Sequence, residues 1–88
     1  MSNKKHLATI TILVKDRQAH ANDVQRILTE HGHLVMARLG VNVRRSCVEN
    51  CAGLITVAVE GTADEINDLT KKLDGLYGIV AKNNIMTE

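Results

Sequence analysis

"LITVAVEGTADEINDLTKKLDGL" (residues 54–76) changes its hydrophobic period at one point, and that point decides the fold. Up to Gly61 the side chains alternate: Ile55, Val57 and Val59 fall on one side, Leu54, Thr56 and Ala58 on the other. A period of two is that of a β-strand. From Ile66 the apolar residues recur at three and four, through Leu69, Leu73 and Leu76, which is the buried stripe of an amphipathic helix. Thr62 and Glu65 stand at the junction with the spacing of a capping box, in which each side chain accepts from the other residue's free backbone N–H. Strand and helix therefore abut directly.

The same reading extends outward in both directions. "YGIVAKNNIM" (77–86) is partly β-branched and supplies a last strand. Upstream, "HLATITILVKD" (6–16) sets Ala8, Ile10, Ile12 and Val14 against Leu7, Thr9, Thr11 and Leu13, a strand with two mostly apolar faces. "RQAHANDVQRILTEHG" (17–32) then turns helical, with Ala21, Val24, Ile27, Leu28 and His31 on one stripe. Asp16 stands where a cap is expected and Gly32 where the helix should stop. "HLVMARLGVNV" (33–43) returns to strand composition, and Gly40 within it suggests a bulge or bend.

These segments predict strands over 6–15, 33–43, 53–60 and 78–86, and helices over 17–31 and 63–75, in one domain spanning 1–88. The order β-α-β-β-α-β in so short a chain is satisfied by an α+β, ferredoxin-like fold: a four-stranded antiparallel sheet with both helices on one face. The other face would carry Leu7, Thr9, Thr11, Leu13, Leu54, Thr56 and Ala58, small or apolar residues that suit a second subunit better than water. A homo-oligomer, dimer or tetramer, is the expectation.

Composition narrows the function classes. The chain has 88 residues, no tryptophan, no phenylalanine and one tyrosine, Tyr77, so aliphatic side chains must fill the core. A net charge of +1 lacks the basic excess of a nucleic-acid binder, which argues against DNA contact through Arg38, Arg44 and Arg45. No apolar run approaches the ~20 residues of a membrane span. The expectation is a cytoplasmic protein, where a structural disulfide is rare. Asp16, Glu30, Glu49, Glu60 and Glu65 are scattered over element ends, where caps and solubility account for them. With no nucleophile beside a base and no phosphate-cradling glycine loop, the sequence does not read as an enzyme.

The first strand ends "ILVKDR" and runs straight into a helix, which resembles ACT domains, small-molecule-sensing regulatory modules whose first loop often reads Asp-Arg-Pro-Gly. Asp16 and Arg17 match that loop, while Gln18 and Ala19 replace the proline and glycine. A longer match joins "ITILVKDR", "VQRILTEHGHLVMARLGV" and "GLITVAVEGTADEINDLTKKLDGLYGIVAK". Together these resemble the iron-only hydrogenase system regulator family, short proteins grouped with the C-terminal domain of the nickel-responsive regulator. Arg38, Leu39, Gly40 and the block from Gly53 to Lys82 carry the likeness. The resemblance implies an ACT-like regulatory fold without a fused DNA-binding domain; the expectation built on it is a transcriptional regulator or sensor acting by ligand or metal binding at a subunit interface. The alternative is a ligand-free module that joins a protein partner.

Two groups of residues are candidates for a site. Asp16 and Arg17 at the first strand–helix junction, with Arg38, Gly40 and Arg44, are candidates for ligand binding. His31, His33, Cys47 and Cys51 have the donor types of a nickel, zinc or iron site. Gly32 between the two histidines predicts that their rings diverge. The cysteines are four apart, which supplies at most half of a tetrahedral site unless oligomer symmetry brings two copies together. Loop thiols at a solvated hairpin tip, a symmetric metal site, and a redox pair activated by Arg44 and Arg45 all remain open.

Overall fold

The computed structural model describes residues 4–42 and 52–87, the side chains at 17, 18, 41 and 42 excepted. The elements are β1 (Lys5–Val14), α1 (Arg17–Glu30), β2 (Val35–Asn42), β3 (Gly53–Thr62), α2 (Ala63–Asp74) and β4 (Ile79–Ile85). The strands form one sheet in the order β2-β3-β1-β4, with every pairing antiparallel. This is the ferredoxin-like, ACT-like arrangement expected from the order of elements. β1 and β3 take the centre because each is apolar on both sides and gains from neighbours on both edges.

Register puts the alternation to work. Ile10 pairs with Val57 and Ile12 with Ile55 on the helix-covered side. There, Ile10, Ile12, Val57 and Val59 are fully buried against Val24 of α1 and Ile66, Leu69 and Leu73 of α2. Among the described residues no polar or charged side chain is fully buried. On the opposite side, among the described residues, no helix covers the pairs Leu13–Leu54, Thr11–Thr56 and Thr9–Ala58. Leu7 remains 43% exposed there and Leu39 67%. Among the described residues no helix is long and apolar enough to cross a membrane.

The strand–helix junction at Thr62 forms as its sequence dictates. The Thr62 hydroxyl accepts from the Glu65 N–H at 3.2 Å, and Glu65 Oε1 accepts from the Thr62 N–H at 2.9 Å. The Thr62 N–H bond to its carboxylate, followed by the influence of the Thr62 side chain, holds the Glu65 carboxyl below its ordinary pKa.

Three local expectations are corrected. Asp16 occupies the N-cap position of α1, yet its side chain makes no capping bond; ψ is 95°. α1 does stop just before Gly32, as expected, although Gly32 is not left-handed. His31 is the C-cap, and residues 31–34 form a turn closed by Leu34 N–H to His31 O (3.0 Å) and Val35 N–H to Gly32 O (3.2 Å). His33 therefore lies in that turn, not in the strand expected from residue 33. The bulge of β2 falls between Val35 and Ala37, at Met36, whereas Gly40 pairs regularly with Ile55.

The edges of the sheet are occupied or interrupted. On β4 the Ala81 N–H donates to Asp74 Oδ1 at 3.0 Å, and Asn83 donates to Asn67 and Thr70 of α2, each at 2.9 Å. On β2 the Met36 irregularity breaks the ladder.

Candidate functional site

Where β1 gives way to α1, the chain passes beside the turn that leads into β4. The Lys15 N–H donates to Gly78 O at 3.0 Å and fixes the two segments side by side. Between them opens a cleft of about 490 Å³, lined by Lys15, Asp16, His20, Tyr77 and Gly78.

Each wall has a local cause. The Asp16 carbonyl accepts from the Ala19 and His20 N–H groups at 3.2 and 3.0 Å, which starts α1 and directs His20 toward the turn. Gly78 has φ +76°, a conformation that L side chains rarely adopt. A Cβ built there would lie 2.7 Å from His20 Cδ2, so the absence of a side chain is what lets the imidazole rest on the backbone. Tyr77 meets the same ring edge-on, with centroids 5.5 Å apart and an interplanar angle of 70°. Tyr77 is itself 86% exposed, an aromatic face turned to solvent.

Asp16 supplies the chemistry. Its residue is only half-buried, but its Oδ1 is shut off from solvent and has no hydrogen-bond partner among the described residues. A buried acceptor left unmade costs on the order of 1–3 kcal/mol. The cleft thus has Asp16 in its wall, one carboxylate oxygen shut behind the surface, beside Lys15, an imidazole and a phenol. That set suits a small polar molecule bearing an N–H or O–H donor.

The candidate residues are dispersed by the fold. Asp16 lies in the cleft, with Arg17 at the first position of α1. Arg38 and Gly40 are on the edge strand β2, two strands away from β1, and Arg38 donates to the Gln25 side chain of α1. Neither lines the cleft. Arg44, Cys47 and Cys51 lie outside the described residues.

His31 and His33 do not diverge: their rings stack at 6.4 Å with 26° between planes. His31 is already engaged at both nitrogens. Nδ1 bonds Ile27 O at 2.9 Å, so it must carry the proton, and Nε2 is left to accept from Lys72 Nζ at 3.2 Å. Among the described residues no group of three or more His, Cys, Asp or Glu is placed to hold a metal ion.

Lys15, His20, Tyr77 and Gly78 were not legible as site residues from the sequence. The available signal was the sole tyrosine standing beside a glycine, and a histidine four residues after Asp16, on the same side of the helix start.

Comparison with known proteins extends over nearly the whole chain. The TM1266-like family model, described as "Iron-only hydrogenase system regulator, putative", matches residues 6–83. The chain is similar to the uncharacterized protein TM1266 from Thermotoga maritima, with 26% identity and a TM-score of 0.83, over 96% of this chain and 100% of that one. It is also similar in fold to the crystal structure of the ACT domain of GTP pyrophosphokinase from Chlorobium tepidum. There the identity is 14% and the TM-score 0.72, over 92% of this chain and 100% of that domain. An unknown protein from Galdieria sulphuraria gives 9% identity and a TM-score of 0.71, over 99% of this chain and 53% of the other. No curated protein matches the chain.

Proposed function

The chain belongs to the TM1266-like iron-only hydrogenase system regulator family, and from that premise we propose that it is a sensor that takes a small polar ligand in the cleft between β1–α1 and the turn before β4. Family and fold support a regulatory role. The observation that carries the ligand reading is the Asp16 Oδ1 atom, buried in the cleft wall with no donor among the described residues. A small turn of the Asp16 side chain would bring that oxygen to the cleft surface, where a ligand N–H or O–H would supply the donor beside the exposed Tyr77 ring. Occupation would then shift the Lys15–Gly78 tie between β1 and β4, and with it the end of the sheet.

A second reading, a ligand-free interaction module, is favoured by the uncovered apolar sheet face.

Thermal shift separates the two. Amino acids, nucleotides, and nickel, zinc and iron salts are screened against the wild-type chain and Asp16→Ala. A sensor is stabilised by its ligand as RT ln(1 + [L]/Kd), and Asp16→Ala loses that shift. If no compound raises the melting temperature, the sensor reading falls and the interaction module stands. A metal that stabilises wild type and Asp16→Ala equally would move the site away from the cleft, toward Cys47, Cys51 and His33.

A further inference from the structure

Tyr77 is the one tyrosine of a chain that has no phenylalanine and no tryptophan. In a protein whose core is aliphatic, that ring stands 86% exposed at the cleft instead of inside. Its contact with His20, at 5.5 Å and 70°, sets the ring plane. A ring with a fixed plane and an open face is a stacking platform, on which a flat heteroaromatic ligand settles at little cost in side-chain order.

Asp16 lines the same cleft. An ionised carboxylate accepts at two oxygens and donates nothing. The side chain makes no capping bond to α1, and Oδ1 has no hydrogen-bond partner among the described residues. It is therefore uncommitted, and a small turn brings it to the cleft surface. The complement of a carboxylate is a pair of adjacent N–H donors on one edge of a planar ring. Lys15 adds a cation among the lining residues. The volume of about 490 Å³ lies within the range of pockets that take molecules as large as a nucleoside.

We propose that the cleft binds guanine, carried as a nucleoside or nucleotide, with the base stacked on Tyr77 and its N1–H and 2-amino groups donating to the Asp16 carboxylate. The assignment rests on the sensor reading of the cleft and names the class of its ligand.

Other ligand classes match the walls less well. Adenine turns its N1 acceptor to the edge that faces the carboxylate, and two acceptors that meet leave both unpaired. Cytosine offers one amino group beside a ring acceptor, and uracil one N–H between two carbonyls. A divalent cation meets a single carboxylate in the cleft, with Lys15 beside it. An aliphatic ligand leaves the Tyr77 ring without a stacking partner.

Isothermal titration calorimetry on the full chain with guanosine, inosine, adenosine and xanthosine reads the edge of the base. Guanosine is expected to bind about tenfold or more tighter than inosine, which lacks the 2-amino group, and adenosine to bind more weakly still. Tyr77→Ala, at an exposed position, should weaken guanosine about tenfold. Asp16→Asn places an amide N–H where the 2-carbonyl of xanthine can accept it, so this variant should prefer xanthosine to guanosine. Guanosine 5′-monophosphate identifies the source: tighter binding than guanosine marks a nucleotide held partly by Lys15, equal binding a nucleoside, and either supports the base assignment.

A measurement on wild type keeps the test independent of any variant's folding. The side-chain ring protons of Tyr77, from the sole tyrosine, should move upfield in the NMR spectrum as guanosine is added. Equal affinity for guanosine and adenosine, Tyr77 resonances indifferent to guanosine, or an Asp16→Asn variant that still prefers guanosine overturns the assignment. Failure of the ligand class is distinct from failure of the sensor reading. An amino acid or other non-aromatic compound that stabilises wild type but not Asp16→Ala removes guanine and leaves the sensor, whereas a chain stabilised by no compound loses both.

Discussion

His20 rests its imidazole against Gly78: a Cβ at position 78 would lie 2.7 Å from His20 Cδ2 and 3.0 Å from Nε2. The contact joins the first turn of α1 to the turn before β4. Two independent costs therefore meet in any substitution there. A side chain must adopt φ +76°, and it must displace a ring that also meets Tyr77.

Gly78→Ala should lower stability by about 1–2 kcal/mol, the sum of a left-handed backbone penalty and steric overlap. Urea unfolding followed by circular dichroism measures it. In the His20→Ala background the steric part disappears and only the backbone part remains, so the cost of Gly78→Ala should shrink. An unchanged cost in both backgrounds would show that the ring is not the obstacle.

The capping box gives a prediction with a sign in pH. Glu65 has a lowered pKa because it accepts the Thr62 N–H and receives further support from the Thr62 side chain. A depressed carboxyl contributes stability that is fully present above its unfolded value of 4.5 and is lost as pH falls through the lowered folded value. Melting temperatures between pH 3 and 7 should therefore drop at the acid end in wild type, and drop less in Glu65→Gln, which keeps an amide oxygen for the same N–H. Thr62→Ala should cost about 1 kcal/mol at neutral pH.

Much of this was legible before the structure, and the exceptions share a cause. The period change across residues 54–76 is local, and local signals placed β3, the cap and α2 correctly. The helix-free face followed from alternation in β1 and β3, because side-chain parity fixes the face once the register is antiparallel. The bulge went to Met36 instead of Gly40 because it is set by where β2 meets β3, which glycine content does not report. Asp16 has the right residue type for a cap, but its side chain makes no capping bond and the residue lines the cleft. The cleft itself joins Lys15 to Gly78 across almost the whole chain, and no spacing rule reaches that far.

The two sides of the sheet should respond differently to the same truncation. Leu69 is fully buried between α2 and the sheet, and Leu69→Ala should cost about 2–5 kcal/mol through lost transfer energy and the cavity left behind. Leu39, 67% exposed on the other side, has little to lose within one chain. Leu39→Ala should change the unfolding of dilute protein by less than about 0.5 kcal/mol. Denaturation measured at low concentration makes this comparison. A large effect of Leu39→Ala under those conditions would mean that the outer face is packed within the single chain.

Asp16 carries the last prediction, and its direction is opposite to the usual one. Replacing an N-cap aspartate by alanine ordinarily costs about 1 kcal/mol, because a helix N–H loses its acceptor. Here the side chain caps nothing, and its Oδ1 is buried without a donor among the described residues. Removing it discards a desolvated acceptor instead of a bond. In the absence of ligand, Asp16→Ala should therefore melt at or above the wild-type temperature. Asp16→Asn, which places an N–H in the same position, should fall between the two or below wild type. A loss of about 1 kcal/mol in Asp16→Ala would show that the carboxylate does cap α1 in solution, and would remove the unsatisfied acceptor on which the sensor reading rests.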